Sequence, residues 1–362
     1  MDLRWLRGKD TINYHKPSVF FVLGVRGGGK SSLLEHTAEQ YLDAGHVVFD
    51  LFGSRDGEGL AWLRSPWAKD KRILLLKGEN VDVEASWPVK LVDKVTLRDF
   101  EENDLVISAS PLHLSIDQEF IDAARLTDLL YKRMHYKRLV YTVIREAANL
   151  YYSRLKVSDN QPYAKAQMVY LIREARHMGL SLGLDSLRMY AVDIDIRHLT
   201  DYLFLKSQGV SGLSKDLKWL YKYVDARLLR NMKLHRFVLV TRAGAIGYGV
   251  FPEIPWHKQE KENILKAVGV ACDYGEPAEQ GQSRGRRGTT IGDKEDSEII
   301  SMYIGGLSMS KISKQTGRST KSIKDHIDAH NQSVERSGFC PACRRVHSQN
   351  EGKLAFCTQK HC

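Results

Sequence analysis

The sequence lacks any apolar run that approaches the roughly 18 residues a membrane-spanning helix needs. Its opening residues, MDLRWLRGKD, contain no apolar core of the kind that secretory signals carry. Cysteine is scarce, with five in 362 residues, and four of the five lie at or after position 340. We therefore expect a cytoplasmic protein without a transmembrane segment, in a reducing compartment where clustered cysteines favour a metal over disulfides.

Acidic residues are fewer than basic ones, with 44 Asp and Glu against 54 Lys and Arg, which gives a formal net charge of +10. This excess suggests an acidic partner, and nucleic acid is the first candidate. Many soluble proteins carry a similar excess, so charge alone does not decide the partner.

Apolar segments alternate with helical patterns through most of the chain. Helical spacing of apolar residues is clearest at 31–43, 117–134 and 161–178. This alternation predicts an α/β fold with a mostly parallel sheet covered by helices. The predicted strands are 18–24, 46–53, 71–78, 104–110, 139–144, 180–184, 201–206 and 236–243.

The composition changes near residue 275, where large apolar residues almost disappear. We predict an α/β domain over residues 1–275 and a basic, flexible linker over 276–294. A short periodic segment at 295–332 and a cysteine-rich tail at 338–362 follow.

A glycine-rich turn joins the first predicted strand to the first predicted helix. Residues 24–31, GVRGGGKS, fit the pattern G-x-x-x-x-G-K-[ST] of the phosphate-binding P-loop. Glycine permits the turn to wrap phosphate oxygens, and the helix N-terminus favours an anion. The pattern predicts ATP binding, with Lys30 on the β- and γ-phosphates and Ser31 on Mg²⁺. The candidate nucleotide contacts are Gly24, Gly27, Gly28, Gly29, Lys30, Ser31 and Ser32.

Hydrolysis also needs a group that orients or deprotonates water. Glu146 follows the apolar strand at 139–144 and is the first candidate, although acids are also favoured at helix starts for reasons unrelated to catalysis. Asp50, at the end of another strand, is a rival that could bind Mg²⁺ if the strand order places it beside the P-loop.

The P-loop is followed, after more than 100 residues, by the stretch VIREAANL. In this combination the chain resembles the HerA/FtsK superfamily of DNA-pumping P-loop ATPases, whose fold is RecA-like. The family's strand typically ends Asp-Glu-Ala-x-x-Leu, which Glu146, Ala147 and Leu150 match. Further matches to the family pattern are Ala175, Arg176, Ser186, Arg188 and the run 193–197.

The resemblance implies double-stranded DNA as partner and a homo-oligomeric, usually hexameric, ring. A neighbouring subunit would then supply an arginine to the γ-phosphate, and the candidates are Arg176 and Arg197. Either could instead be a surface arginine paired with a nearby acid. Two departures stand out: Arg145 replaces the family's first acid, and Leu187 falls on its sensor glutamine. These departures imply that Mg²⁺ depends more on Ser31 and water.

Residues 295–332 predict three short helices, at about 295–304, 308–315 and 319–330, around a small isoleucine-rich core. This segment resembles a resolvase-type helix-turn-helix, which implies that the third helix enters the major groove of DNA. A protein-interaction module is the alternative. The predicted DNA contacts are Arg318, Ser319, Thr320, Lys321 and Lys324, with Arg284, Arg286 and Arg287 of the linker in the minor groove or simply solvated.

The tail carries Cys340 and Cys343 at the C-x₂-C spacing of a zinc knuckle, followed by Cys357 and Cys362. Four thiolates can close a tetrahedral Zn²⁺ site, which would suit a segment too small for its own core. His347 or His361 could replace one cysteine, and a loose tail with reducible thiols is the alternative.

These features favour an ATP-dependent DNA translocase, for genome packaging or DNA transfer, with ATP, Mg²⁺ and Zn²⁺ as cofactors. Arg145 and Leu187 favour a different hypothesis, a weakly hydrolysing or non-enzymatic, nucleotide-gated DNA-binding regulator. An assembly ATPase that works at a membrane through a partner is a third.

Overall fold

The structure is a computed structural model that describes residues 1–52, 57–132, 137–151, 161–192, 198–257, 264–274, 293–304, 307–337, 339–340 and 345–346. Contacts divide the chain into two units, Met1–Pro277 and Ala278–Cys362. None of the helices within these ranges is long and apolar enough to cross a membrane.

A large sheet organises the first unit. The strands of this unit are β1 Asp2–Arg7, β2 Val19–Leu23, β3 Val47–Leu51, β4 Ile73–Lys77, β5 Val81–Glu84, β6 Val89–Leu91, β7 Leu105–Ser108, β8 Val140–Ile144, β9 Leu180–Ser186, β10 Tyr202–Leu205, β11 Arg236–Thr241, β12 Ile246–Val250 and β13 Ala271–Tyr274. In the large sheet they lie in the order β1-β12-β11-β10-β2-β9-β8-β3-β7-β4-β6, and β5 pairs separately with β13. Neighbours from β10 to β6 are parallel, whereas β10–β11, β11–β12 and β1–β12 are antiparallel.

Helices connect these strands, and short 3₁₀ turns fill several loops. The α-helices of the first unit are α1 Lys30–Asp43, α2 Trp67–Asp70, α3 Leu97–Glu102, α4 Ile116–Tyr131, α5 Ala147–Tyr151, α6 Gln161–Met178, α7 Ala226–Arg230 and α8 Ile264–Ala267. The 3₁₀ helices include Glu58–Arg64 and Lys215–Lys222.

The central strands are buried on both faces, so their residues divide between two apolar clusters. In β9, Leu182 and Leu184 join the cluster that contains α4 and α6 residues. The opposite face packs against α1, where the rings of Tyr41 and Tyr141 stack with centroids 4.4 Å apart. Gly183 makes this packing possible, because a Cβ there would lie 1.9 Å from the Tyr141 hydroxyl.

The predicted fold class is confirmed: the protein is mixed α/β, with a large, mostly parallel sheet flanked by helices. Each of the eight predicted segments overlaps a strand. The prediction missed β1, β5, β6, β12 and β13. Most of these are short or half-exposed, so they lack the apolar runs that marked the others.

The second unit contains α9 Asp293–Ile304, α10 Met309–Thr316 and α11 Thr320–Ser337, followed by a hairpin of β14 Phe339–Cys340 and β15 Arg345–Val346. Gly317 ends α10 in the left-handed conformation, with φ 71°. Among the described residues of this unit, the buried apolar side chains are Ile299, Ile300, Ile312, Ile323 and Ile327, with Leu307 partly buried against them.

Candidate nucleotide-binding site

The glycine-rich turn lies between the end of β2 and the start of α1, as the sequence predicts. Gly27 and Gly29 have φ values of +70° and +79°, which side chains other than glycine rarely adopt. Gly29 is the N-cap of α1 and has no side chain that could cap the helix, so the amides of the first helical turn need another acceptor. The local geometry therefore suits an anion.

Lys30 is the first residue of α1 and is only 6% exposed. Its ammonium donates a hydrogen bond of 3.4 Å to the carbonyl of Val25, across the loop. The same nitrogen lies 3.9 Å from Oε1 of Glu146. The fold thus brings together the two residues that the sequence nominated for phosphate binding and water activation.

Glu146 connects β8 to α5 and holds a φ of 48°. This left-handed conformation is strained for a residue with a side chain, and such strain is concentrated at functional sites. A single strand, β9, separates β2, which leads into the P-loop, from β8, which leads to Glu146. The Glu146 carboxylate is 31% exposed, and water can reach it.

Arg145 is buried and bound by acids. Its guanidinium donates to both oxygens of Asp50 on β3 and, over 2.5 Å, to Glu35 on α1. Glu58 lies 3.9 Å from its Nε. Burial by itself lowers the pKa of Arg145, but Asp50, Glu35 and Glu58 outweigh it and raise that pKa above its ordinary value.

The proposal that Asp50 could bind Mg²⁺ beside the P-loop is wrong. Strands β8 and β9 separate β3 from β2. The Asp50 carboxylate is fully buried, where it accepts hydrogen bonds from Arg145 and from the indole of Trp62. Asp50 therefore neutralises the arginine and does not face the loop.

Two further acids stand near the P-loop that the sequence analysis did not nominate. Asp185, near the end of β9, is fully buried, and its Oδ1 accepts a 2.5 Å hydrogen bond from the Glu146 amide. Glu58, at the start of a 3₁₀ helix, is hydrogen-bonded to the side chain of Ser31. A carboxylate near the carboxyl end of the predicted strand at 180–184 was a usable signal for Asp185, whereas no sequence pattern marked Glu58.

The residues around Ser31 fit a magnesium ion that is bound together with nucleotide. Mg²⁺ takes one or two carboxylates, with phosphates and waters completing its octahedron. Asp185 offers such a carboxylate, because its Oδ2 has no hydrogen-bond partner among the described residues. Among the described residues, no group of three or more His, Cys, Asp or Glu side chains forms a metal site. Phosphates and waters would therefore supply most of the magnesium ligands.

The end of β9 also carries the positions matched to the family's sensor. The Ser186 hydroxyl bonds to the backbone of Arg188, and Leu187 is 46% exposed. Leu187 and Arg188 line a cavity of about 560 Å³ together with Val25 and Arg26 of the loop and Gln208 beyond β10. This cavity adjoins the P-loop and has room for a nucleoside.

No protein-family model matches the chain, and no curated protein does. Solved structures resemble it distantly. The genome packaging NTPase B204 of Sulfolobus turreted icosahedral virus 2, in complex with ATP-gammaS, is 16% identical, with a TM-score of 0.41 over 67% of this chain and 100% of that one. The pCW3 conjugation coupling protein TcpA, with ATPgS, is 15% identical, with a TM-score of 0.40 over 74% of this chain and 69% of that one.

Several nominated residues lie outside the part of the chain that the structure describes. They are Arg197, Arg284, Arg286, Arg287, Cys343, Cys357 and Cys362. Arg176 belongs to α6, and Cys340 belongs to the β14–β15 hairpin opposite Arg345. The arginine finger and the zinc site therefore stay predictions.

The start of α11 presents most of the nominated DNA contacts to solvent. Ser319, Thr320, Lys321 and Lys324 are exposed. Arg318 differs, because its residue surface is only 9% exposed and its backbone bonds to Ser313 and Thr316. Arg318 therefore supports the turn between α10 and α11 and is not part of the exposed surface.

Proposed function

We propose that the protein is a P-loop ATPase of the HerA/FtsK type that couples ATP hydrolysis to movement of double-stranded DNA. The observation that carries the ATPase proposal is the 3.9 Å approach of Lys30 to Glu146 at the mouth of the glycine-rich loop. A phosphate-binding lysine and a carboxylate that water can reach are the two groups that γ-phosphate hydrolysis requires of this chain.

In the proposed reaction, the loop amides and Lys30 bind the β- and γ-phosphates of ATP. Glu146 orients a water molecule and accepts its proton as the water oxygen attacks the γ-phosphorus. The bond from phosphorus to the bridging oxygen breaks, and the products are ADP, phosphate and a proton. When bound, magnesium neutralises charge on the two terminal phosphates.

The second unit supports DNA as the substrate on which the motor acts. The exposed face at the start of α11 combines hydroxyl groups with Lys321 and Lys324, which suit phosphate oxygens and base edges. We propose that α11 lies in the major groove and that Arg284, Arg286 and Arg287 contact the adjacent minor groove.

We also propose a hexameric ring in which Arg176 or Arg197 of one subunit completes the site of its neighbour, and a Zn²⁺ ion held by Cys340, Cys343, Cys357 and Cys362. Particle mass with ATP bound tests the ring. Metal content of the purified protein, compared with that of a Cys340→Ser variant, tests the zinc.

The ATPase proposal is tested by measuring phosphate release with and without duplex DNA. Lys30→Ala should lose both nucleotide binding and turnover, whereas Glu146→Gln should bind ATP and turn it over at least about a hundredfold more slowly. Glu39→Gln is the matched control, since Glu39 hydrogen-bonds to Trp67 and Trp256 away from the loop. Full DNA-stimulated hydrolysis by Glu146→Gln would overturn the catalytic assignment.

A second function is favoured by Arg145 and Leu187, which replace an acid and a glutamine of the family pattern. In this alternative, ATP binding gates sequence-specific DNA binding and hydrolysis is slow. Slow turnover that duplex DNA does not accelerate, together with ATP-dependent binding to one DNA sequence, would favour the regulator over the motor.

A further inference from the structure

The position that carries the first acid in the resembled family holds a buried arginine in this protein. Arg145 is turned toward β3 and α1, where Asp50 and Glu35 bind its guanidinium. Its charge is therefore neutralised inside the protein. Position 145 cannot supply a carboxylate to the nucleotide, so a metal bound there would need an acid from elsewhere.

The adjacent strand carries an acid on the same face of the sheet. In β9, Leu182 and Leu184 point to the α4 and α6 side, so Ser181, Gly183 and Asp185 point to α1. The hydrogen bond from Tyr41 of α1 to the Ser181 hydroxyl confirms this face. Because α1 begins at Lys30, the α1 face at the carboxyl end of β9 meets the P-loop.

Strand β9 is also one strand closer to the P-loop than β8 is. It pairs directly with β2, in a register that sets Val22 opposite Asp185 and Leu23 opposite Ser186. The amide of Gly24, the first residue of the P-loop pattern, bonds to the carbonyl of Ser186. The end of β9 and the start of the loop are therefore held together by the backbone.

Asp185 has one oxygen committed and one available. Its Oδ1 accepts the Glu146 amide, while its Oδ2 is buried without a hydrogen-bond partner among the described residues. A fully buried carboxylate oxygen without a partner is costly and indicates a missing ligand. Lys30 is close enough for its charge to act on this carboxylate.

We propose that Asp185 supplies the protein carboxylate at the magnesium site, together with the hydroxyl of Ser31, in place of the acid that position 145 lacks. This inference rests on the proposed ATPase function. Compared with the family pattern, the acidic side chain lies on β9, one strand closer to the P-loop strand than β8. The Glu146 amide holds this carboxylate in place through its hydrogen bond to Oδ1.

Burial raises the pKa of Asp185 to about 7, against the opposing effect of Lys30, and the nearby carboxylates of Glu146 and Glu58 raise it further. A cation at Oδ2 would relieve both the desolvation and the repulsion. Glu58 is the competing acid, since it bonds to Ser31. Glu58 also lies near Arg145 and 3.5 Å from His257, so basic groups already balance its charge.

The test measures metal binding directly, on the full chain. Mn²⁺ binding is followed by electron paramagnetic resonance in the presence of ADP, and ADP binding is followed by calorimetry with Mg²⁺ and with EDTA. Asp185→Asn keeps an oxygen that can accept the Glu146 amide but removes the charge. We expect it to weaken Mn²⁺ binding at least about tenfold while metal-free ADP binding changes less than about twofold.

Glu58→Gln is the matched variant, and it should weaken Mn²⁺ binding less than Asp185→Asn does. Unchanged Mn²⁺ affinity in Asp185→Asn, or a larger loss in Glu58→Gln, overturns the assignment of Asp185 but leaves the ATPase proposal intact. Metal-free ADP binding reports whether Asp185→Asn is folded, and Asp185→Ser, which also removes the carboxylate, replaces it if that binding is lost. If the wild-type protein binds ADP neither with Mg²⁺ nor with EDTA, the ATPase proposal itself is overturned.

Discussion

Arg145 and Asp50 form an ion pair with no exposed side-chain surface, at the carboxyl ends of the adjacent strands β8 and β3. The indole of Trp62 donates a further 2.8 Å hydrogen bond to the Asp50 carboxylate. Glu35 binds the same guanidinium through its Oε1, so one cation contacts two fully buried acids. This pair holds β3 and α1 against the strand that positions Glu146.

Replacing Arg145 by Met should destabilise the protein by about 3–5 kcal/mol, because Asp50 and Glu35 would lose their buried counter-ion. Urea unfolding measures the change. Arg98→Met is the matched control, since Arg98 and Glu102 are 78% and 54% exposed, and it should change the free energy of unfolding far less than Arg145→Met does. Similar effects from the two variants would mean that the network adds no stability.

The stability of the protein should depend on pH through His257. Burial opposes charging of this imidazole, but Glu35, 2.6 Å away, and then Glu58 raise its pKa above the ordinary value of 6.5. A raised pKa in the folded state stabilises the protein below the unfolded value of about 6.5, and this contribution is lost as pH rises through the folded value.

The check compares wild type with His257→Gln in urea unfolding at several values between about pH 5.5 and pH 8.5. The difference in free energy of unfolding should be largest at the acidic end and shrink toward the alkaline end. His177→Gln, on the exposed side of α6, serves as control and should change stability by less than about 0.5 kcal/mol. A difference that grows with pH would contradict a raised pKa of His257 in the folded protein.

Two glycines of the P-loop should differ in their tolerance of alanine. Both have positive φ, so each substitution should cost about 1 kcal/mol in backbone strain. A Cβ at Gly29 would also lie 2.8 Å from the carbonyl of Leu234, whereas nothing lies within 4 Å of a Cβ at Gly27. Gly29→Ala should therefore weaken ATP binding and lower the melting temperature more than Gly27→Ala, and the reverse order would contradict the loop geometry.

The salt dependence of DNA binding by the second unit should depend on how many of its lysines contact phosphates. Lys321→Ala and Lys324→Ala should each reduce the slope of log affinity against log salt by about one, if each contacts one phosphate. Fluorescence anisotropy with a labelled duplex measures the slope. Lys9→Ala, at an exposed lysine of the first unit, is the control. Equal slopes in all variants would remove α11 from the DNA contact.

The sequence by itself determined the local parts of this protein. The apolar runs marked the central strands because those strands are buried on both faces, and GVRGGGKS marked the phosphate loop because its backbone needs glycine. The three short helices of the second unit were also predicted close to their bounds, although α11 continues to Ser337, beyond the predicted end at 330.

Only the tertiary structure decided which charges meet. The sequence left Asp50 as a possible magnesium ligand and did not nominate Asp185, because both are single acids near strand ends. The strand order separates these two acids by the Arg145 strand and sets Asp185 beside the P-loop strand. A sheet joins residues that are far apart in the chain, so the partner of a buried charge depends on strand order, which local spacing does not encode.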